Sequence, residues 1–79
     1  MSSTAELVEY LARQLVDDPE SVRVEEVERD GALVLELHVA EEDVGKVIGR
    51  GGRIARALRT IVRAAAGRGD RRVLLEIAG

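Results

Sequence analysis

The stretch from Val47 to Ile54, with the sequence Val-Ile-Gly-Arg-Gly-Gly-Arg-Ile, constrains the fold of this 79-residue chain more than any other feature. Two of its glycines, Gly49 and Gly52, are three positions apart and join an apolar run to a helical one. Because glycine lacks a Cβ, such a loop can bring backbone N–H groups close to a phosphate. The same glycines could serve only to end one helix and to let the next begin. The loop alone leaves both interpretations open.

The charge of the chain is divided unevenly along its length. The formal net charge is −3, which by itself is not the basic footprint of a nucleic-acid-binding protein. Residues 1–45 contain thirteen acidic and three basic residues, whereas residues 46–79 contain nine basic and two acidic ones. All nine of those basic residues lie between positions 46 and 72. We therefore expect a positive field around the glycine loop, which favours nucleic-acid binding over a merely solvated helix face.

Length and composition limit the class of protein. The chain is predicted to form a single domain, residues 1–79, with a core that is marginal unless its elements are regular or it pairs with a second chain. The absence of cysteine excludes disulfides and thiolate metal sites, and neither a metal site nor a cofactor is predicted. No apolar stretch reaches the roughly 20 residues that cross a bilayer, and residues 1–15 lack the pattern of a signal peptide. We therefore expect a cytoplasmic protein without a membrane partner.

The first half of the chain is predicted to form a helix and a hairpin. The helix runs from about Thr4 to about Val16, after a capping box formed by Ser3 and Glu6, and residues 17–20 end it. Two alternating strands then follow, separated by a turn signal at residues 30–31. In the first strand Val22 and Val24 alternate, and Val27 falls out of step, which indicates a bulge or a strand end. In the second strand one face is formed by Leu33, Leu35, Leu37 and Val39, and the other by Val34, Glu36 and His38.

The second half is predicted to form two helices and a last strand. A short helix from about Glu41 to Ile48 ends at Gly49, a natural position for a left-handed cap. The helix after the loop is strongly amphipathic and ends near Ala66. A turn is predicted at residues 67–70, and residues 73–77 alternate as in a strand. The predicted order is helix, strand, strand, helix, helix, strand.

No residues assemble an enzyme site. A nucleotide-binding Walker loop requires a glycine where this chain has Arg50, and the dinucleotide-binding motif requires one where it has Ile54. His38 is the only histidine, and we interpret it as a residue on a sheet face. The carboxylates cluster on what we interpret as solvated faces and a helix start. The sequence therefore predicts a protein that is not an enzyme.

Residues 43–60 resemble the core of the K-homology (KH) domain, whose hallmark is a valine-isoleucine-glycine-x-x-glycine loop between two helices. The predicted element order resembles the bacterial type II form, and the whole chain is similar to the small stand-alone bacterial KH proteins of the KhpA family. The resemblance implies an α+β fold, α-β-β-α-α-β, with three helices on one face of a three-stranded mixed sheet. In one departure, Ala55 stands where many eukaryotic KH motifs have isoleucine. No base-reading role is therefore assigned to the following helix.

The resemblance also implies a mechanism. In KH domains the glycine loop grips about four nucleotides of single-stranded RNA by the backbone. We expect N–H groups at Gly51, Gly52 and Arg53 to face the phosphate at a helix start, with Arg50 as the foremost charge. Because Tyr10 is the only aromatic residue, platforms of stacked aromatics are excluded. The candidate RNA-binding residues are Lys46, Ile48, Gly49, Arg50, Gly51, Gly52, Arg53 and Ile54.

Two classes of function remain open. The first is an RNA chaperone or post-transcriptional regulator of weak affinity and low sequence selectivity, which the resemblance links to control of cell elongation. The second is an interaction subunit, because the resemblance implies a homodimer and a heterodimer with a larger bacterial KH-domain protein. Ala57 and Ala64 flank the apolar stripe of the last helix and permit close packing, although helix propensity alone also explains them.

Overall fold

The computed structural model describes residues 2–67 and 72–78. Within them three α-helices and three strands follow one another in the predicted order, which confirms the α+β class. Their bounds are α1 Ser3–Leu15, β1 Arg23–Arg29, β2 Ala32–His38, α2 Val44–Ile48, α3 Arg53–Ala66 and β3 Val73–Ala78. Apart from Gly67, the turn predicted at residues 67–70 lies outside the described residues.

The start of α1 lies one residue earlier than the sequence predicted. The hydroxyl of Ser2 accepts a hydrogen bond of 3.1 Å from the N–H of Ala5, so Ser2 is the N-cap. Ser3 is already helical, and the predicted capping box at Ser3 is therefore wrong. The N–H of Ser2 also donates to a carboxylate oxygen of Glu26 at 2.7 Å, which fastens the start of α1 to β1.

The sheet has the strand order β1-β2-β3, with β1 antiparallel and β3 parallel to β2. A two-residue turn joins β1 to β2, and both of its residues have positive φ, 53° at Asp30 and 80° at Gly31. This backbone matches the twist of a tight hairpin, so the predicted turn is confirmed. β3 lies at the edge beyond β2, and its start is held by a hydrogen bond of 2.8 Å from the N–H of Leu33 to the carbonyl of Arg72.

The predicted irregularity at Val27 is absent from β1, which is described along its whole length. The strand pairs with β2 without interruption, from Arg23 opposite His38 to Arg29 opposite Ala32. Val27 lies opposite Val34, and Val34 in turn lies beside Leu74 of β3. The prediction of a bulge or strand end was wrong because Val27 belongs to a short apolar row on the face of the sheet that bears no described helix.

The core lies between the other face of the sheet and the three helices. The predicted inner face of β2 is confirmed, since Leu35 and Leu37 are fully buried and Leu33 packs against the same cluster. Residues from every described α-helix complete this cluster: Ala5, Val8, Ala12, Val47, Leu58 and Val62. All three described helices pack on this face, and the glycine loop joins two of them, α2 and α3, with Arg50 and Gly51 exposed.

Candidate nucleic-acid interface

The glycine loop is a tight turn between α2 and α3. The N–H of Gly49 donates to the carbonyl of Gly45 at 2.9 Å, which ends α2. The next residues form a single 3₁₀ turn, Arg50–Gly52, in which the N–H of Gly52 donates to the carbonyl of Gly49 at 3.1 Å. The N–H of Arg53 donates to the carbonyl of Arg50. The N–H groups of Gly52 and Arg53 therefore take part in the turn itself, which differs from the expectation that both face a ligand.

In contrast to those of Gly52 and Arg53, the N–H groups of Arg50 and Gly51 are not used by the turn. Within residues 2–67 and 72–78, neither has a hydrogen-bond acceptor in the protein. Both residues are exposed. Backbone N–H groups need a partner, so in solution these two are available to water or to a ligand oxygen. The donors that the loop offers are thus centred one to two residues earlier than predicted.

Gly49 and Gly51 require glycine for different reasons. Gly49 has φ 77° and ψ 171°, which is positive but not the left-handed helical cap that the sequence predicted. A Cβ at this position would meet the side chain of Ile54, at 2.6 Å from its Cγ1. Gly51 has a left-handed helical conformation, φ 66° and ψ 17°, and a Cβ there would meet nothing within 4 Å. Ile54 therefore packs over Gly49 and leaves no room for a Cβ there.

The two arginines of the loop have no carboxylate partner among the described residues. Arg50 and Arg53 are exposed, and neither forms an ion pair within the described part of the chain. They stand at the start of α3, where the N-terminal end of a helix attracts anions. Both charges are therefore available to a phosphate.

Lys46 has a different environment. Its Nζ lies 3.1 Å from a carboxylate oxygen of Asp43 and 3.3 Å from one of Asp17. These hydrogen bonds raise the pKa of Lys46, mainly through Asp43 and then Asp17. The ammonium group is thus largely compensated within the protein. Its contribution to RNA binding remains a prediction, and we expect it to be smaller than that of Arg50 or Arg53 because its charge is already paired.

Asp43 is the buried carboxylate behind this arrangement. It is 2% exposed and accepts hydrogen bonds from the N–H groups of Asp17 and Asp18, at 3.3 and 3.0 Å. Burial acts to raise its pKa, but the two backbone donors and Lys46 together outweigh that effect, so the pKa lies below its usual value. The sequence indicated only a charge at a helix start. In the fold Asp43 ties the end of α1 to the start of α2 and so positions the loop.

The isoleucines on either side of the loop have different exposure. Ile48 is 38% exposed, although it is a large apolar side chain. Ile54 is partly buried, because it packs against the core as well as over Gly49. Ile48 can therefore contact a ligand, whereas Ile54 mainly shapes the loop.

A cleft lies between the C-terminal half of α3 and the start of β3. Its volume is about 550 Å³. Arg59, Arg63 and Arg72 line it together with apolar residues that include Val62 and Leu75. In the sequence these arginines belong to the basic second half of the chain, but no sequence motif placed them in a site. Their clustering in one cleft follows from the packing of α3 against β3, which local sequence patterns do not specify.

The chain is similar to a known protein family over nearly its whole length. A family model described as the KH domain of KhpA and KhpB matches residues 5–77. The match spans the glycine loop, its flanking helices and the greater part of every other described strand and helix. The chain belongs to the KhpA/KhpB KH-domain family. The predicted resemblance is confirmed, and with it the three-helix, three-stranded α+β fold.

Individual KhpA proteins are similar to the chain over most of its length. The RNA-binding protein KhpA of Clostridium perfringens is 54% identical over 72 residues, which are 91% of this chain and 96% of that protein. The protein of the same name from Aquifex aeolicus is 49% identical over 77 residues, 98% of each chain. That of Treponema pallidum is 54% identical over 72 residues, 91% of this chain and 90% of that protein. No solved structure matches the chain significantly.

The KhpA relatives bear the name of an RNA-binding protein and not of an enzyme, in agreement with the prediction that the chain is not an enzyme. None of the helices in residues 2–67 and 72–78 has both the length and the apolar character that crossing a membrane requires.

Proposed function

We propose that the chain binds single-stranded RNA by gripping the sugar-phosphate backbone of about four nucleotides at the glycine loop. The observation that carries the proposal is the geometry of Arg50 and Gly51. Their N–H groups have no acceptor within the described residues, and the guanidinium of Arg50 has no carboxylate partner there. Two donors and a free charge on adjacent residues form a site for one phosphate group.

The helix behind the loop adds to this attraction. α3 is a regular helix of 14 residues, and its N-terminus stands directly after the 3₁₀ turn. Its dipole places partial positive charge near the loop, and Arg53 adds a full charge at the first helical position. A phosphate at Gly51 is therefore attracted by the backbone and by two side chains at once.

The path of the remaining nucleotides follows α3. The helix is about 21 Å long, so a strand held at its N-terminus can run along it towards the arginine-lined cleft at its other end. Arg59 and Arg63 project from the same helix into that cleft, and Arg72 faces them from the start of β3. Ile48 beside the loop offers an apolar surface for a base. We assign Arg59, Arg63 and Arg72 to the backbone path rather than to base recognition.

We expect low sequence selectivity because the proposed RNA-binding residues include no aromatic side chain. Tyr10, the only aromatic residue, lies on α1 and not on the loop or the cleft. Without aromatic stacking, affinity comes chiefly from phosphate contacts, which every RNA sequence provides. These properties suit an RNA chaperone or post-transcriptional regulator. The proposed connection with cell elongation rests on the resemblance to KhpA alone.

A second candidate function is subunit assembly. Ile61 of α3 is 36% exposed, and Ala57 and Ala64 lie one helical turn on either side of it, also exposed. An exposed apolar strip with small flanking residues permits close helix packing. This strip supports the proposed homodimer and the proposed heterodimer with a larger KH-domain protein. Sedimentation at micromolar chain concentration is expected to show twice the chain mass, and a strict monomer would contradict the homodimer.

The test of RNA binding is a loop variant with two substitutions, Arg50→Asp and Gly51→Asp. Both positions are exposed, and a Cβ at Gly51 meets nothing within 4 Å, so the fold is expected to survive. The control carries Arg13→Asp and Gln14→Asp, which change the net charge by the same amount on exposed positions of α1.

We expect the loop variant to lose most of its affinity for a short single-stranded RNA and the control to retain it. Circular dichroism establishes that both are folded. Equal affinity of the two folded variants would refute the clamp, because net charge would then account for binding.

A further inference from the structure

The face of the sheet opposite the helices carries a cluster of two glutamates and a histidine that the proposed RNA contacts do not involve. The register of β1 and β2 places Glu25 directly opposite Glu36, and His38 lies two residues further along β2 on the same face. The imidazole Nε2 of His38 is 3.7 Å from an oxygen of Glu36 and 3.9 Å from an oxygen of Glu25. One donor atom from each of the three residues lies within 4.8 Å of the other two.

The Nε2 atom of His38 has no hydrogen-bond partner within the described residues, although it is buried. A buried polar atom without a partner is unfavourable. The nearest carboxylate oxygens, at 3.7 and 3.9 Å, are too far from Nε2 for hydrogen bonds. A group placed between the three donor atoms would satisfy all of them.

Each carboxylate is held in position by an arginine through its other oxygen. Oε1 of Glu25 accepts a hydrogen bond from Nε of Arg23 at 3.0 Å, and Oε2 of Glu36 accepts one from Arg29 at 3.3 Å. The oxygens that face His38 are Oε2 of Glu25 and Oε1 of Glu36. Metal-binding carboxylates are commonly oriented by hydrogen bonds of this kind.

The distances and donor types suit a particular class of cation. In a tetrahedral zinc site with bonds of about 2.1 Å, neighbouring ligand atoms lie about 3.4 Å apart. The observed nitrogen–oxygen separations exceed that value by only a few tenths of an ångström. An imidazole with two carboxylates suits zinc and its neighbours, whereas Mg²⁺ and Ca²⁺ prefer oxygen ligands throughout.

The local charge also favours a cation. Three glutamates, Glu25, Glu36 and Glu76, are balanced by only two arginines, since Arg29 pairs with both Glu36 and Glu76. With a neutral imidazole the cluster retains one negative charge. The side chains are partly exposed, 48% at Glu25 and 26% at His38. Because Nε2 itself is buried, these side chains must move slightly apart to admit an ion.

We propose that Glu25, Glu36 and His38 form a binding site for a divalent transition metal of the zinc type on the open face of the sheet, with water as the fourth ligand. The site is independent of the glycine loop, because its ligands come from β1 and β2. It would give this small protein a second, inorganic ligand on the face opposite the helices.

The experiment uses the chain without an affinity tag, so that His38 is its only imidazole. The nitrogen resonances of ¹⁵N-labelled histidine are followed by NMR during titration with Zn²⁺. We expect saturation at one ion per chain, with the largest shift at Nε2, and no change when Mg²⁺ replaces Zn²⁺. Absence of a Zn²⁺-induced shift, or coordination through Nδ1, would overturn the proposal.

A variant with Glu25→Gln and Glu36→Gln tests the carboxylate ligands. Loss of two direct ligands is expected to lower Zn²⁺ affinity by at least about tenfold, measured by calorimetry, because even outer partners of a metal site contribute that much. A control with Glu41→Gln and Glu42→Gln removes two exposed carboxylates elsewhere and is expected to leave the affinity unchanged. An equal loss of Zn²⁺ affinity in both variants, or no loss in either, would refute the site. If the variant with Glu25→Gln and Glu36→Gln fails to fold, the titration of the native chain decides the question.

Discussion

Substitution of Gly49 by alanine is expected to destabilise the fold strongly, because two separate costs arise at that position. With φ 77° and ψ 171° the backbone lies in a region that is almost restricted to glycine, which costs an alanine about 1–3 kcal/mol. The new Cβ would also lie 2.6 Å from Cγ1 and 2.9 Å from Cβ of Ile54. Overpacking of this kind adds about 1–3 kcal/mol. The two costs together, about 2–6 kcal/mol, are a large part of the roughly 4–12 kcal/mol that stabilises a domain of this size.

Two other glycines of the same region supply the controls. Gly51→Ala places alanine in a left-handed conformation, but its Cβ has no steric contact within 4 Å. The free energy of unfolding is therefore expected to fall by about 1–2 kcal/mol. Gly45→Ala lies inside α2 with nothing within 4 Å of its Cβ and is expected to stabilise by about 0.5–1 kcal/mol. Urea unfolding followed by circular dichroism, at one chain concentration, measures all three free energies of unfolding.

A double-mutant cycle identifies the steric contact itself. Ile54→Ala removes Cγ1 and Cδ1, two of the three atoms that the new Cβ of Gly49→Ala would meet. Gly49→Ala is therefore expected to cost at least about 1 kcal/mol less in the Ile54→Ala background than in the native one. If the two substitutions were additive, and Gly49→Ala cost no more than Gly51→Ala, the packing of Ile54 over Gly49 would be refuted.

Two further predictions concern pH and salt. Because the pKa of Asp43 is lowered in the fold, its contribution to stability is complete above about pH 4 and is lost as the pH falls through the lower, folded-state pKa. Asp43→Asn should therefore be less stable than the native chain at pH 7. In urea unfolding it should also lose less stability than the native chain between pH 5 and pH 2. An acid dependence equal to that of the native chain would contradict this. Neutralisation of roughly three phosphates predicts a slope of about −2 for the logarithm of the RNA association constant against that of salt concentration, measured by fluorescence anisotropy, and a slope near zero would contradict the proposed backbone contacts.

The regular elements were predictable because their patterns are local. The alternation of Leu33, Leu35 and Leu37 identified the inner face of β2, and the spacing of apolar residues identified α1 and α3. The turn at residues 30–31 follows from two residues that tolerate positive φ. The glycine loop was recognised because its glycines, arginines and flanking helices are contiguous in the chain.

The remaining features depend on contacts between distant positions. The donors to Asp43 are backbone groups 25 and 26 residues earlier, which no local pattern identifies. Pairing of Lys46 with Asp17 also depends on the packing of α1 against α2. Val27 was misinterpreted because a strand whose outer face carries its own apolar row departs from simple alternation. Whether a given N–H of the loop is free likewise depends on a turn geometry that Arg50 and the glycines adopt only in the fold.

The central claim is that the loop binds a phosphate through the backbone of Arg50 and Gly51, and amide NMR tests it most directly. A ¹⁵N-labelled chain is titrated with a four-nucleotide single-stranded RNA, and the backbone N–H signals are followed. The clamp predicts that Arg50 and Gly51 shift most, with smaller changes at residues along α3 and in the arginine cleft. Saturable binding that leaves the Arg50 and Gly51 amides unchanged would contradict it.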